Sequence, residues 1–176
     1  MYYIILFVLY LFVGISFFIF LILLVDIFLS VLRFVPFVPS KKEKIPIILK
    51  LADPKPGEKM VDLGSGDGRL VIAFAEQGIE SHGYEINLFL VLYSRWQIYR
   101  KHLQDKAFIH WNNFNKCNFK DYDIFVIYLF PEILEKFEDR FINETKPSVK
   151  IISNTFQFQK LKYALTQDSI YLYTKQ

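Results

Sequence analysis

The sequence predicts an α/β domain, a doubly wound and mostly parallel sheet with a C-terminal antiparallel hairpin, preceded by one N-terminal transmembrane helix. Three observations predict it. The first 25 residues, MYYIILFVLYLFVGISFFIFLILLV, carry no charge. From residue 45 onward, short apolar runs alternate with stretches of helical period, the pattern of strand–helix–strand units. The closing KYALTQDSIYLYTK holds two β-rich runs around Asp168 and Ser169, the pattern of a hairpin.

At about 1.5 Å per residue the uncharged segment forms a helix of roughly 37 Å, enough to cross a hydrocarbon core with some tilt. It lacks the basic leader, short apolar region and small-residue cleavage site of a signal peptide, and it has no polar face to mark it as a core helix. Arg33, Lys41, Lys42 and Lys44 follow it, which places the body of the protein on the cytoplasmic side, or the matrix side if the membrane is an organelle's. Asp26 reads as an interfacial carboxylate at the exit of the span. Pro36, Pro39 and Pro46 in RFVPFVPSKKEKIP resist helix and favour an extended, semi-rigid spacer. The KKEK run is either a contact for anionic lipid or a solvated charge cluster. The expected boundaries are an anchor over 1–32, a linker over 33–44 and a globular domain over 45–176.

With 176 residues the chain accommodates one domain and an appendage. Of its 21 basic and 18 acidic side chains, only Arg33 and Asp26 lie before residue 34, so the globular part is mildly basic. That balance argues against a nucleic-acid partner, which calls for a strong basic face. The single Cys117 excludes an internal disulfide and suits a reducing compartment. His82, His102 and His110 show no ligand spacing, and no metal site is expected.

The elements follow in order. IPIILKLADPKPG reads as a short helix stopped by Pro54, Pro56 and Gly57, and KMVDLG as a buried strand. GRLVIAFAEQG is a helix closed by Gly78, ESHGYEIN the second strand, LFLVLYSRWQIYRKHL a longer helix and KAFIHW the third strand. Trp96 and Trp111 are read as packing residues. DIFVIYLF is a fourth, strongly apolar strand. PEILEKFEDRFINE opens on Pro131 and repeats apolar residues at Ile133, Leu134, Phe137, Phe141 and Ile142, a core-facing helical stripe. VKIISNTF is the fifth strand. In such sheets, ligands bind beyond the carboxyl ends of the strands.

The stretch VDLGSGDGRL sits at such an end. A phosphate-cradling loop needs a Gly-Lys pair, which is absent here. A dinucleotide fingerprint counted from Gly64 meets Arg69 where its third glycine belongs, which counts against it without excluding it. What remains is Gly64-x-Gly66-x-Gly68, preceded by Asp62 at the strand end and followed by Glu85 at the end of the second strand. Glycines let a ligand approach the backbone, and a carboxylate accepts both hydroxyls of a ribose. This arrangement resembles motif I and the following acid of the Rossmann-like S-adenosylmethionine methyltransferases.

The resemblance extends along the chain. The span, PFVPS, VDLGSGDGRLVIAFA, GYEINLFLVLYSRW and IYLFPEILEKFEDRF together are similar to the small membrane-anchored protein-lysine methyltransferases related to those of the mitochondrial inner membrane. The resemblance implies S-adenosylmethionine as cofactor, with Asp62, Gly64, Ser65, Gly66 and Gly68 lining its methionine moiety and Glu85 holding its ribose. After the third strand the methyltransferase pattern places an acid beside the adenine amino group. Here WNNFN offers the amide oxygen of Asn112 or Asn113, unless these are simply turn residues.

The acceptor site is expected at IYLFP, after the fourth strand. Enzymes that methylate nucleobase amines place a polar residue and Pro-Pro there, whereas this chain has Pro131 alone behind apolar residues. Tyr128 is the candidate for orienting an acceptor amine, with Phe130 and Pro131 shaping the channel; otherwise Tyr128 is a core residue and Pro131 a helix start. The expected acceptor is a lysine of a membrane-associated protein. Methylation of a membrane-soluble quinone precursor or lipid, and a non-catalytic nucleotide-binding scaffold, stay open.

Overall fold

The structure is a computed structural model that describes residues 1–32 and 39–175. It divides into two units, Met1–Val38 and Pro39–Gln176. In the first unit α1 (Tyr2–Leu32) is apolar on every side, and its Tyr2–Phe28 stretch has a mean hydropathy of 3.0, long and apolar enough to cross a membrane. The first six residues of the expected linker, 33–38, with Arg33 and Pro36, lie outside the described residues.

The second unit holds α2 (Ile45–Ala52), β1 (Lys59–Leu63), α3 (Arg69–Ala75), β2 (Glu80–Glu85), α4 (Leu88–Arg100), β3 (Ala107–Trp111), β4 (Ile124–Ile127), α5 (Pro131–Glu144), β5 (Lys150–Asn154), β6 (Leu165–Gln167) and β7 (Ile170–Thr174). The strands form one sheet in the order β3-β2-β1-β4-β5-β7-β6. The first five are parallel, and the β6–β7 hairpin adds antiparallel strands at the β5 edge. Asp168 and Ser169 make the hairpin turn with φ of 49° and 60°, the left-handed pair that matches the twist of the flanking strands.

Local chemistry sets the helix ends. Gly78, at φ 82°, closes α3, its N–H donating to the Ala75 carbonyl and the next N–H to that of Phe74. Asn87 caps α4 by accepting from the Phe89 and Leu90 amides. Pro131 takes the first position of α5, where no N–H is needed.

Alternate strand residues face opposite cores. Met60, Ile124, Val126 and Ile152 pack with Ile48 of α2 and Leu70 and Phe74 of α3, while Ala107 and Ile109 pack with α3 and α4. On the other face Val61, Leu63, Phe125 and Ile127 meet Leu134, Phe137 and Phe141 of α5. There, two 3-10 turns at Phe114–Lys116 and Phe119–Asp121 stand in the β3–β4 crossover, so this face carries α5 as its one long helix.

Three expectations change. Pro46, expected to resist helix, sits in the first turn of α2, where its missing N–H has no helical partner to lose, and Lys42–Lys44 of the expected extended linker form a 3-10 turn. The fourth strand stops at Ile127 rather than running to Phe130, because Gly64 at φ 86° turns β1 away and Pro131 restricts the residue before it. Trp96 and Trp111 are 49% and 60% exposed rather than packed. Val91, Ser94 and Ile98 are the inward positions of α4, which leaves Trp96 outside, and Trp111 ends the edge strand β3.

Candidate active site

The parallel register sets Leu63 beside Tyr84 on one side and Ile127 on the other, so the glycine loop, the end of β2 and the start of the β4–α5 turn meet at one rim. The Gly64 and Ser65 amides both donate to the Tyr84 carbonyl, at 2.9 and 3.0 Å. The Gly66 amide donates to Glu85 Oε2 at 2.8 Å. Glu85 Oε1 accepts from the amides of Ile86 and Asn87 at 2.9 and 2.8 Å. Its carboxylate thus ties the loop to the end of β2.

The glycines differ in what their missing side chains leave room for. A Cβ on Gly64 would meet nothing within 4 Å, so the backbone there faces open space. A Cβ on Gly68 would lie 2.7 Å from the Ser94 Cβ, so that glycine lets α4 approach. Ser65 turns its hydroxyl inward, where it is buried without a partner among the described residues and occupies the space a side chain on Gly83 would need.

Three carboxylates surround this loop. Asp62 is buried, and burial pushes its carboxyl up to about 8, with the charges of Glu85 and Asp67 adding to the rise. Such a group accepts a proton or a cation readily. Asp67 is committed to Arg69, whose Nε and Nη2 donate to it at 2.5 to 3.1 Å.

On the β4 side, Tyr128 follows the strand end and is half-buried, Leu129 is buried and Phe130 is 37% exposed. Phe156, beyond β5, joins Tyr128 and Phe130, with ring centroids 6.2 and 6.1 Å away. Ser153 Oγ fixes that loop by donating to the Phe156 carbonyl. The structure therefore brings Tyr128 and Phe130 together beside the glycine loop and adds Phe156. SNTF carried the signal for it, an aromatic residue just past the carboxyl end of a strand. Asn112 and Asn113 lie at the end of β3, exposed, and their side-chain oxygens accept local amides from Asn113 and Asn115.

A further group was not legible in sequence. Arg69 Nη1 donates to the Ser40 carbonyl at 2.6 Å, and the Ser40 hydroxyl accepts from Asn154 Nδ2 at 3.1 Å. Lys44 Nζ donates to Asn154 Oδ1 and Thr155 Oγ1. Ser40 and Lys44, which fall within the expected linker, are thus tied to both the glycine loop and the end of β5.

The family described as "ANTKMT methyltransferase domain" matches residues 62–164, from the buried Asp62 to the approach of the hairpin. The chain belongs to this methyltransferase family. It is 34% identical over 123 residues to the human lysine N-methyltransferase of the ATP synthase c-subunit, covering 70% of this chain and 52% of that protein. It is 32% identical over 123 residues to the mouse adenine nucleotide translocase lysine N-methyltransferase, covering 69% and 53%. The chain thus spans about half the length of these curated relatives. A solved structure titled an RNA methyltransferase from Salinibacter ruber, in complex with S-adenosyl-L-homocysteine, superposes with a TM-score of 0.75. It is 26% identical, over 78% of this chain and 94% of that one.

S-adenosylmethionine is the cofactor of the family, and the site's chemistry fits it. The open backbone at Gly64 admits a close ligand, and the Asp62 and Glu85 carboxylates suit a ligand that carries an ammonium, a sulfonium and ribose hydroxyls. Among the described residues no three His, Cys, Asp or Glu side chains gather as a metal site.

Proposed function

We propose that the chain is a membrane-anchored S-adenosylmethionine-dependent methyltransferase that modifies a lysine side chain of a membrane-associated protein. The observation that carries the acceptor class is the aromatic group of Tyr128, Phe130 and Phe156 at the rim shared with the glycine loop. The lysine N-methyltransferase names of the relatives support the same reading, and the length and apolarity of α1 support the anchor. The apolar IYLFP turn lacks the polar-Pro-Pro sequence of nucleobase enzymes, so the RNA acceptor named for the Salinibacter protein does not carry over.

When bound, the cofactor supplies an electrophilic methyl group on a sulfonium. In this reading Asp62 holds its ammonium, Gly64, Ser65, Gly66 and Gly68 line its methionine end, and Glu85 accepts from the ribose hydroxyls. Asn112 and Asn113 stand nearest the adenine edge. An acceptor lysine must arrive neutral, which from a pKa near 10.4 costs roughly 4.6 kcal/mol at pH 7. The rings of Tyr128, Phe130 and Phe156 exclude water from the amine, which lowers its pKa, and they accept the methylated ammonium by cation–π attraction. Tyr128 orients the amine, and Pro131 fixes the wall of the channel by starting α5. The remaining work is in-line positioning. Docking the acceptor in the same membrane as the anchor raises its effective concentration with no new contact.

The test is to incubate the purified full chain with methyl-labelled S-adenosylmethionine and membranes, then to separate protein, lipid and RNA. Label is expected in protein, on lysine. Label in the lipid extract or in RNA overturns the acceptor class, and intact cofactor binding with no label anywhere favours the scaffold reading.

A further inference from the structure

Among the described residues, four of the eight large apolar side chains that the second unit leaves exposed lie on one helix face. Leu92, Tyr93, Trp96 and Tyr99 project from the outer side of α4, 47% to 67% exposed, opposite the buried Val91, Ser94 and Ile98. They form an organised surface. The rings of Tyr93 and Trp96 lie 5.9 Å apart, and the Arg100 guanidinium sits 4.7 Å over the Trp96 ring.

Two observations indicate what covers it. Tryptophan, tyrosine and leucine beside arginine suit neither bulk water nor a hydrocarbon core; such side chains gather at the headgroup layer, apolar bodies inward and polar tips in water. Next, Pro39 follows Leu32 by seven residues, so a fully extended chain keeps the start of the second unit within about 25 Å of the end of α1.

We propose that the outer face of α4 is an interfacial docking surface, lying in the headgroup layer of the bilayer that α1 crosses. The inference rests on reading α1 as a membrane span. Docking through α4 gives the domain a second point of attachment to the bilayer.

The chain has two tryptophans, Trp96 and Trp111, and none in α1, so its fluorescence reads this surface directly. The full-length Trp111→Phe variant leaves Trp96 as the sole emitter. It is reconstituted in phosphatidylcholine–phosphatidylglycerol vesicles, with or without acyl-brominated phosphatidylcholine, and challenged separately with aqueous iodide. The expected result is loss of most Trp96 emission in brominated vesicles and little loss with iodide, with the two sensitivities reversed by a further Leu92→Ser/Tyr99→Ser change. Quenching by iodide alone, in a chain that stays with the vesicles after an alkaline wash, overturns the docking surface while sparing the span. Protection from both quenchers means that protein, such as a second copy, covers the face, and also overturns it. Release of the chain by the alkaline wash refutes the span itself, and with it the case for a lipid occupant.

Discussion

Glu85→Gln is the sharpest test of the cofactor seat. One carboxylate oxygen accepts from Gly66 and the other from Ile86 and Asn87, all at 2.8 to 2.9 Å. A glutamine has only one acceptor oxygen, so whichever way it turns, its NH2 group faces at least one backbone N–H. Leaving a buried donor unsatisfied costs about 1–3 kcal/mol, so the midpoint of chemical denaturation should fall by a corresponding amount without loss of cooperativity. The ribose loses a charged acceptor, worth about 1.5–3 kcal/mol, and cofactor affinity should drop about 10- to 100-fold. Calorimetric titration with S-adenosylhomocysteine measures the second effect and urea denaturation the first. Lower stability with unchanged affinity would mean that Glu85 braces the loop and does not touch the ribose, and the assignment would fail.

The other predictions concern separate parts of the fold. Asp62 titrates near 8 in the folded chain and near 3.9 when unfolded, so the unfolded state binds fewer protons between these values. Its contribution to stability is therefore full below about pH 4 and lost as pH rises to about 8; Asp62→Asn should flatten that arm of a stability–pH curve. Cofactor binding should release a proton below pH 8, seen as a buffer-dependent binding enthalpy, and a proton count of zero at pH 7 would exclude an Asp62–ammonium contact. Tyr128→Phe should lower turnover with near-normal cofactor affinity, whereas Phe156→Ala should mainly raise the KM for the acceptor; normal kinetics would return either residue to a packing role. Glu138 is fully buried and accepts from the amides of Gln159, Lys160 and Leu161, so Glu138→Ala should destabilise the fold by about 2–4 kcal/mol, measurable by urea denaturation. Burial pushes the Cys117 thiol up to about 12, so an aromatic disulfide reagent should label it only on unfolding.

The parts of the site that were legible in sequence are those built by local chemistry. Gly64 and Pro131 mark the ends of adjacent elements, and their roles in turning or starting an element depend on neighbours close in the chain. The parts that were hidden depend on distant ones. Asn154 meets Ser40 across 114 residues, and Arg69 reaches Ser40 across 29, so no spacing rule connects them. His82 and His110 have no ligand spacing in sequence, yet the β2–β3 register sets their ring nitrogens 2.9 Å apart. Desolvation and the neighbouring His82 hold His110 below the usual histidine range.

By itself the sequence determined the order of elements, the parallel sheet with its terminal hairpin, the apolar N-terminal helix and the glycine loop with its two acids. Those features follow from periodicity, turn chemistry and backbone sterics, all written into short stretches of chain. Only the tertiary structure decided which glycine faces open space and which faces Ser94, that Phe156 completes an aromatic group with Tyr128 and Phe130, and that α4 turns its tryptophan outward. These depend on how strands register and which helix face meets the sheet, which is settled by long-range packing.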